Sequence, residues 1–357
     1  MKRKYLVIVG TRPNFVKAAP LFSRVKEFTD IKLDLLHTGQ HFDENMSKIF
    51  FEQMRIPNPD YHFNIDTGSN STNLGRLISE IKGVLTNNNY QGLVVFGDVN
   101  STVAGAIAAS GIGIPLFHIE SGLRSHDKRM PEEANRILTD HLSDKLFITE
   151  PSAKKNLLAE GVDEGRILLV GNIMIESLEM FKGLFEYSNI KGRLNIKSEY
   201  LIATIHRAEN TQDKNILKKI LTVLSELSSR YEILFPVHPG TKDSISRFNL
   251  QYLLHNINII EPVGYIDFMN LVMNAKGVVT DSGGIQEETT HLGIPCCTLR
   301  DNTERPITVS MGTNKLFPIK RAKASDVMEH LESVSEGEKE KIPFWDDRVS
   351  KRILNEL

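Results

Sequence analysis

Tyr5-Leu6-Val7-Ile8-Val9-Gly10-Thr11-Arg12-Pro13-Asn14 is the stretch that decides the fold. Its apolar run ends at a glycine, and the Thr-Arg-Pro that follows opens a helix carrying Lys17. An unbroken apolar run of strand length reads as a strand covered on both faces, the habit of parallel sheets. Lys2-Arg3-Lys4 lends the segment a passing likeness to a signal peptide, but an apolar run of residues 5–9 cut off by Arg12 is too short for a secretory core. A buried first strand is expected instead.

The same unit recurs along the chain. Strands are expected at residues 32–36, 93–96, 116–119, 145–148 and 167–170, and again at 200–204, 232–236, 257–260, 277–280 and 296–299. Amphipathic stretches at 73–85, 132–142 and 152–160 fall between them. Strands alternating with helices imply βαβ units and a doubly wound parallel sheet. A length of 357 residues exceeds a usual single core, and hydrophobic periodicity lapses in the polar segment 185–198. Two Rossmann-like domains are expected, 1–180 and 181–340, followed by a C-terminal segment 341–357. In open sheets of this kind ligands sit beyond the carboxyl ends of the strands, so two facing domains would share one central cleft.

Composition excludes several classes. With 40% hydrophobic and 25% charged residues and a net charge of -2, there is no broad basic surface for nucleic acid and no polybasic tail for a membrane. No apolar run approaches the ~20 residues of a spanning helix, so no membrane insertion is expected. Cys296 and Cys297 are adjacent, and neighbours on a strand point to opposite faces. They read as buried reduced thiols, which suits the cytoplasm.

The residues that carry chemistry collect at the strand ends. Gly10 to Asn14, with Arg12 and Lys17, is a glycine turn, a helix start and two cations, a setting for a diphosphate or an ordinary turn with a solvated arginine. Gly97-Asp98 closes the next run, where Asp98 reads as a strand-end acid or as a cap on the helix after Asn100. His118-Ile119-Glu120-Ser121-Gly122-Leu123-Arg124 puts Glu120 at a strand end beside a glycine turn. In Pro131-Glu132-Glu133-Ala134-Asn135-Arg136 the acids favour a helix start through the macrodipole, while Glu132 and Arg136 lie four apart on one face. Carboxylates beside cations are what acid/base chemistry needs.

In the second half, Thr204-Ile205-His206-Arg207-Ala208-Glu209-Asn210 places His206 at a strand end, either as a proton carrier or as a structural hydrogen-bonding group. His238, between Val237 and Pro239, reads as structural. Thr280-Asp281-Ser282-Gly283-Gly284-Ile285-Gln286-Glu287-Glu288 is the most specific segment: a strand runs into a Ser-Gly-Gly turn at a helix start, a seat for phosphate. Glu288 lies one turn further on, within reach of ribose hydroxyls, and Arg305 lies in another charged strand end. No His, Cys or Asp grouping has metal-ligand spacing and no glycine fingerprint for a nicotinamide dinucleotide is present, so no metal and no cofactor are expected. Tyr187 and Lys191 match a Tyr-x-x-x-Lys pattern by chance, in the polar linker.

Taken together, GTRPN, TGQH at residues 38–41, GD, HIESGLR, PEEANR, Gly171-Asn172, HRAEN, TDSGGIQEE and NTERP resemble the UDP-N-acetylglucosamine 2-epimerase family, in family order from Gly10 to about Thr313. The resemblance implies a glycosyltransferase-B-like fold, with the segment after Trp345 forming a helix packed on the first domain. It implies a non-hydrolysing isomerase acting on a UDP-sugar without metal or nicotinamide, usually as a homodimer. By motif position, Asp98, Glu120, Glu132 and His206 correspond to the family's catalytic set. Arg12, Lys17, Arg136, Ser282, Gly283, Gly284, Glu288 and Arg305 correspond to its UDP contacts.

Departures from the pattern bear on substrate and regulation. The family commonly has glutamate where Asn14 and Ile307 stand, and the segment 42–46 after TGQH is longer than usual in a loop that binds an activating UDP-sugar in many members. Related enzymes act on UDP-2,3-diacetamido-glucuronate, which leaves the sugar open. A glycosyltransferase of the same fold, a hydrolysing relative and a non-catalytic UDP-sugar sensor are the rival classes. A sensor would have no need of Asp98, Glu120, Glu132 and His206 together.

Overall fold

The computed structural model describes residues 2–39, 54, 56–65, 71–334 and 341–357. The chain divides into two compact units, one of Met1–Met180 with Pro343–Leu357 and one of Phe181–Ile342. In the first, β1 (Arg3–Val9), β2 (Ile31–His37), β3 (Tyr61–His62), β4 (Gly92–Phe96), β5 (Leu116–Ser121), β6 (Lys145–Ile148) and β7 (Ile167–Leu169) form one sheet in the order β3-β2-β1-β4-β5-β6-β7. In the second, β8 (Tyr200–Thr204), β9 (Glu232–Pro236), β10 (Ile257–Ile260), β11 (Gly277–Thr280), β12 (Cys296–Thr298) and β13 (Asn314–Leu316) follow the order β10-β9-β8-β11-β12-β13. All pairings are parallel, from β1 with β2 and β4 to β12 with β13.

Both sheets reverse their winding at one place, between β1 and β4 and between β8 and β11. This is the doubly wound order in which a crevice opens at the reversal, beyond the carboxyl ends of the strands. Each sheet is covered on both faces, so Leu6, Val7, Leu93, Val94 and Val95 are fully buried in one unit and Leu201, Ile202, Ile233 and Leu234 in the other. Each such side chain contributes about 1.5–3 kcal/mol on leaving water. That demand is the reason the strands read as continuous apolar runs rather than alternating ones. The expected strand at 167–170 stops at Leu169, and the two short edge strands β3 and β13 add to the expected set.

The polar segment 185–198 is not a bare linker. Helix Ile173–Glu186 runs across the division at Met180, Phe185 and Ile190 are buried, and a short helix covers Ile190–Arg193. The C-terminal helix Val349–Leu354 lies in the first unit, where Ser350 Oγ donates to Glu176 at 2.6 Å and Trp345 Nε1 donates to the Thr149 carbonyl at 3.1 Å. Cys296 and Cys297 are free, buried thiols, and burial pushes Cys296 up to about 11. Among the described residues no helix is long and apolar enough to cross a membrane.

Candidate active site

In the first unit three strand ends converge. Helix Arg12–Arg24 starts where β1 stops, and Asn14 reaches back to accept from the Gly10 and Thr11 N–H groups, each at 3.2 Å. That brace is local, so it holds the turn whichever way Arg12 points; Arg12 itself is exposed. Lys17, one turn on, is buried, and its ammonium meets the Glu120 carboxylate. Glu120 sits at a bulge: Ile119 pairs with Phe147 and Ser121 with Ile148, so residue 120 is the extra residue of β5, with φ 68°. A bulge of this kind re-aims one side chain out of the ordinary alternation.

Gly97 follows β4 at φ 58°, a conformation that glycine adopts without the Cβ penalty. A Cβ added there would lie 3.5 Å from Lys17 Nζ and 3.7 Å from Glu120 Oε2, so the turn packs directly over that ion pair. The next residue, Asp98, pairs with the Arg136 guanidinium from helix Pro131–Leu142. Asn135 of the same helix donates to the Asp98 carbonyl at 2.8 Å, fixing the turn from below.

Arg136 takes Glu133, not Glu132, as its second partner, at 2.9 Å. The four-residue spacing of Glu132 and Arg136 is thus not used. Glu133 is buried and also accepts from Ser125 N, Ser125 Oγ and His126 N at 2.9, 3.0 and 2.9 Å. Burial works against the Glu133 charge, but the Ser125 and His126 donors and Arg136 outweigh it and hold the carboxyl below its usual range. Glu132 stands exposed on the helix's first turn. The structure therefore brings Lys17 to Glu120 and Asp98 to Arg136, and leaves Arg12 and Glu132 at the surface.

In the second unit the hub is Asp281, at the end of β11. It accepts from the backbone N–H of His206 at 3.1 Å, from that of Arg207 at 2.9 Å and from Asn210 Nδ2 at 3.0 Å. His206 Nδ1 lies 3.1 Å from Asp281 Oδ1, and the ring is 49% exposed. Burial of Asp281 opposes its charge, but the His206 side chain and the N–H donors hold its carboxyl below the ordinary range. An ionised carboxylate on Nδ1 fixes the imidazole's orientation and turns Nε2 away from the hub. His238 does what a structural residue does, capping helix Pro239–Arg247 by accepting from Gly240 N at 3.2 Å.

The Ser-Gly-Gly turn leads into helix Gly284–Leu292, with Gly283 at the cap position. The Ser282 N–H is taken by Thr280 Oγ1 at 2.9 Å, so the donors left by helix geometry begin after it. A Cβ on Gly283 would lie 2.5 Å from Arg305 NH1, while a Cβ on Gly284 meets no described atom within 4 Å. Arg305 is buried, with Nε 3.0 Å from Glu287 Oε1. Glu304 beside it is buried too, and Arg305, Arg300 and Arg207 overcome that burial to hold its carboxyl well below the usual range. Glu288 is buried and accepts from the Tyr265 hydroxyl at 2.9 Å.

The family model described as UDP-N-acetylglucosamine 2-epimerase matches residues 23–357. A UDP-N-acetylglucosamine 2-epimerase from Methanocaldococcus jannaschii is 42% identical over 363 residues, covering 99% of this chain and 98% of the relative. The chain belongs to the UDP-N-acetylglucosamine 2-epimerase family. A UDP-2,3-diacetamido-2,3-dideoxy-D-glucuronate 2-epimerase from Pseudomonas aeruginosa is 41% identical, with 88% of each chain covered. The crystal structure of the M. jannaschii epimerase in complex with UDP-GlcNAc and UDP matches with a TM-score of 0.90 at 40% identity, covering 99% of this chain and 98% of that one.

For this epimerase-family chain, the residues missed as site members are those that hold the others. Glu133, Asp281, Tyr265 and Glu304 each fix a candidate residue; three of them stand within motifs without a distinguishing signal, and Tyr265 lies outside every motif. Gln40, His41 and the segment 42–46 lie outside the described residues.

Proposed function

We propose that this chain interconverts UDP-N-acetylglucosamine and UDP-N-acetylmannosamine by eliminating UDP and adding it back. What carries the reading is the division of chemistry between the units. One sets the acids Glu120 and Asp98 beside Lys17 and Arg136, and the other offers a glycine-rich helix start with Glu288 behind it. The M. jannaschii relative, 42% identical, bears the corresponding name.

The C2–H of a hexopyranose is a poor acid because no carbonyl adjoins it. Breaking the C1–O bond first sends the electron pair out with UDP and leaves an oxocarbenium-like centre, next to which C2–H becomes acidic. A carboxylate then removes the proton, and the C2–H electrons form the C1–C2 double bond of a 2-acetamidoglucal. Return of a proton to the opposite face of C2 and re-addition of UDP at C1 complete the inversion. Asp98, Glu120, Glu132 and His206 move protons and stabilise charge. Arg12, Lys17, Arg136, Ser282, Gly283, Gly284, Glu288 and Arg305 bind UDP and stabilise it as it departs. The chain is further proposed to work as a homodimer in the cytoplasm, a reducing compartment that suits its two buried free thiols.

The test is incubation with UDP-GlcNAc in D₂O. The expected product is UDP-ManNAc carrying deuterium at C2, with label entering UDP-GlcNAc on longer incubation. Inversion with full retention of the original hydrogen would defeat the elimination mechanism. Untouched C2–H with transfer of sugar would point to a glycosyltransferase, free amino sugar to a hydrolase, and binding without turnover to a sensor. A second reading of the substrate rests on the P. aeruginosa relative at 41% identity. Turnover of the diacetamido-glucuronate alone would change the sugar and keep the mechanism.

A further inference from the structure

His118 lies in the centre of β5 and is fully buried. Its ring makes two hydrogen bonds. Nδ1 is 2.7 Å from Asp140 Oδ1, and Nε2 is 2.8 Å from the Gly97 carbonyl oxygen. A backbone carbonyl accepts only, so Nε2 carries a proton. Asp140 is also an acceptor: its Oδ2 takes the Gly122 N–H at 3.1 Å and lies 2.7 Å from the Arg124 guanidinium, and although burial opposes its charge, His118 and Arg124 hold the carboxyl below its ordinary range. Nδ1 therefore carries a proton as well. Arg124 also pairs with Glu160, at 2.7 Å.

We infer that His118 is held as an imidazolium whose pairing with Asp140 positions the Gly97–Asp98 turn and Glu120 for the proposed epimerisation. It is a positioning residue, because its ring touches no solvent and reaches the chemistry through Gly97. The Gly97 N–H donates to the Ile119 carbonyl at 2.9 Å while the Gly97 carbonyl accepts from His118, so the residue that follows β4 is gripped by β5 on both sides. The gripped glycine packs over the Lys17–Glu120 pair and passes directly into Asp98. A neutral ring would turn a lone pair on an acceptor at one of its two ends and release either the turn or the helix.

The role in catalysis rests on the epimerase reading; the charge of the ring does not, and the experiment separates them. In enzyme labelled with ¹⁵N-histidine at neutral pH, His118 should show two protonated ring nitrogens and two slowly exchanging ring protons. A neutral tautomer overturns the inference and leaves the epimerase reading intact. His118→Gln cannot satisfy Gly97 and Asp140 together. It should lower kcat by about 10²-fold, the scale of an ångström-level misplacement, with the dissociation constant for UDP changed less than about threefold. Wild-type kcat in a folded His118→Gln enzyme, or equal losses in kcat and UDP affinity, would overturn the positioning role. Should that variant not fold, the ring signals of the unaltered enzyme still decide the charge, and Asp140→Asn, measured for the same kcat-to-affinity split, decides the role.

Discussion

Glu120 presents its carboxylate to the buried Lys17 ammonium from a left-handed backbone, φ 68°, at the bulge that ends β5. A left-handed residue other than glycine costs about 1–2 kcal/mol, and a glycine at 120 would avoid it. The strain is retained with a side chain that glycine lacks, beside the Gly97 turn that follows β4. Strain kept beside an ion pair and a strand-end crevice is the pattern of a functional position.

Removing the Glu120 charge separates its two roles. Glu120→Gln should lower kcat by about 10²-fold or more. It should also lower unfolding stability by about 3 kcal/mol, because Lys17 is left charged and buried without its partner. Adding Lys17→Met should recover most of the stability and none of the turnover. Denaturant titrations paired with steady-state rates check both, and a double variant with restored turnover would remove Glu120 from the catalytic set.

Gly284 offers a cleaner probe of the phosphate seat than its neighbour does. A methyl at 283 collides with Arg305, whereas one at 284 meets no described atom within 4 Å. Gly284→Ala should leave the fold intact and gain a few tenths of a kcal/mol from reduced chain entropy. It should weaken UDP by about tenfold or more, since the methyl enters the space over the helix start. Calorimetry showing unchanged UDP affinity would place the diphosphate elsewhere.

Glu288 accepts from the Tyr265 hydroxyl at 2.9 Å and is proposed to accept from a ribose hydroxyl. Glu288→Ala should raise the dissociation constant for UDP by about tenfold, as expected for loss of a hydrogen bond to a charged group. The measurement belongs in buffer with a chelator, where wild-type affinity should persist. A strict metal requirement, or no loss in the variant, would sink the ribose assignment.

Acid should weaken the fold in a defined window. Glu133, Asp140, Asp281 and Glu304 all have carboxyls held below their ordinary values by cations and N–H donors that outweigh burial. In the unfolded chain they titrate near about pH 4. Their contribution is thus complete above about pH 5 and is lost as the pH falls through about 4 toward the depressed folded values, because the unfolded state takes up protons first. Urea midpoints should be level from about pH 6 to 7 and fall steeply below about 4. Asp281→Asn should be less stable at neutral pH and show a shallower acid slope. An acid slope as steep as that of the unaltered chain would contradict the depressed value assigned to Asp281.

Much of this was legible in the linear chain. Strands covered on both faces must be apolar throughout, so Tyr5–Val9 and the run ending at Gly97 announced themselves, and the turns after them had to carry the polar chemistry. The edge strands were silent because Tyr61–His62 and Asn314–Leu316 bury too little to need an apolar run. Choices between neighbours were silent too. Glu132 and Glu133 share a helix start and a macrodipole, and only the Ser125–His126 backbone packed against that helix selects Glu133 as the partner of Arg136. Likewise, nothing near His118 in the chain marks it as charged, because its two acceptors come from Gly97 and Asp140, 21 and 22 residues away. Local periodicity is written in the order of residues, whereas the partner of a buried charge is set by which distant segments the sheet brings together.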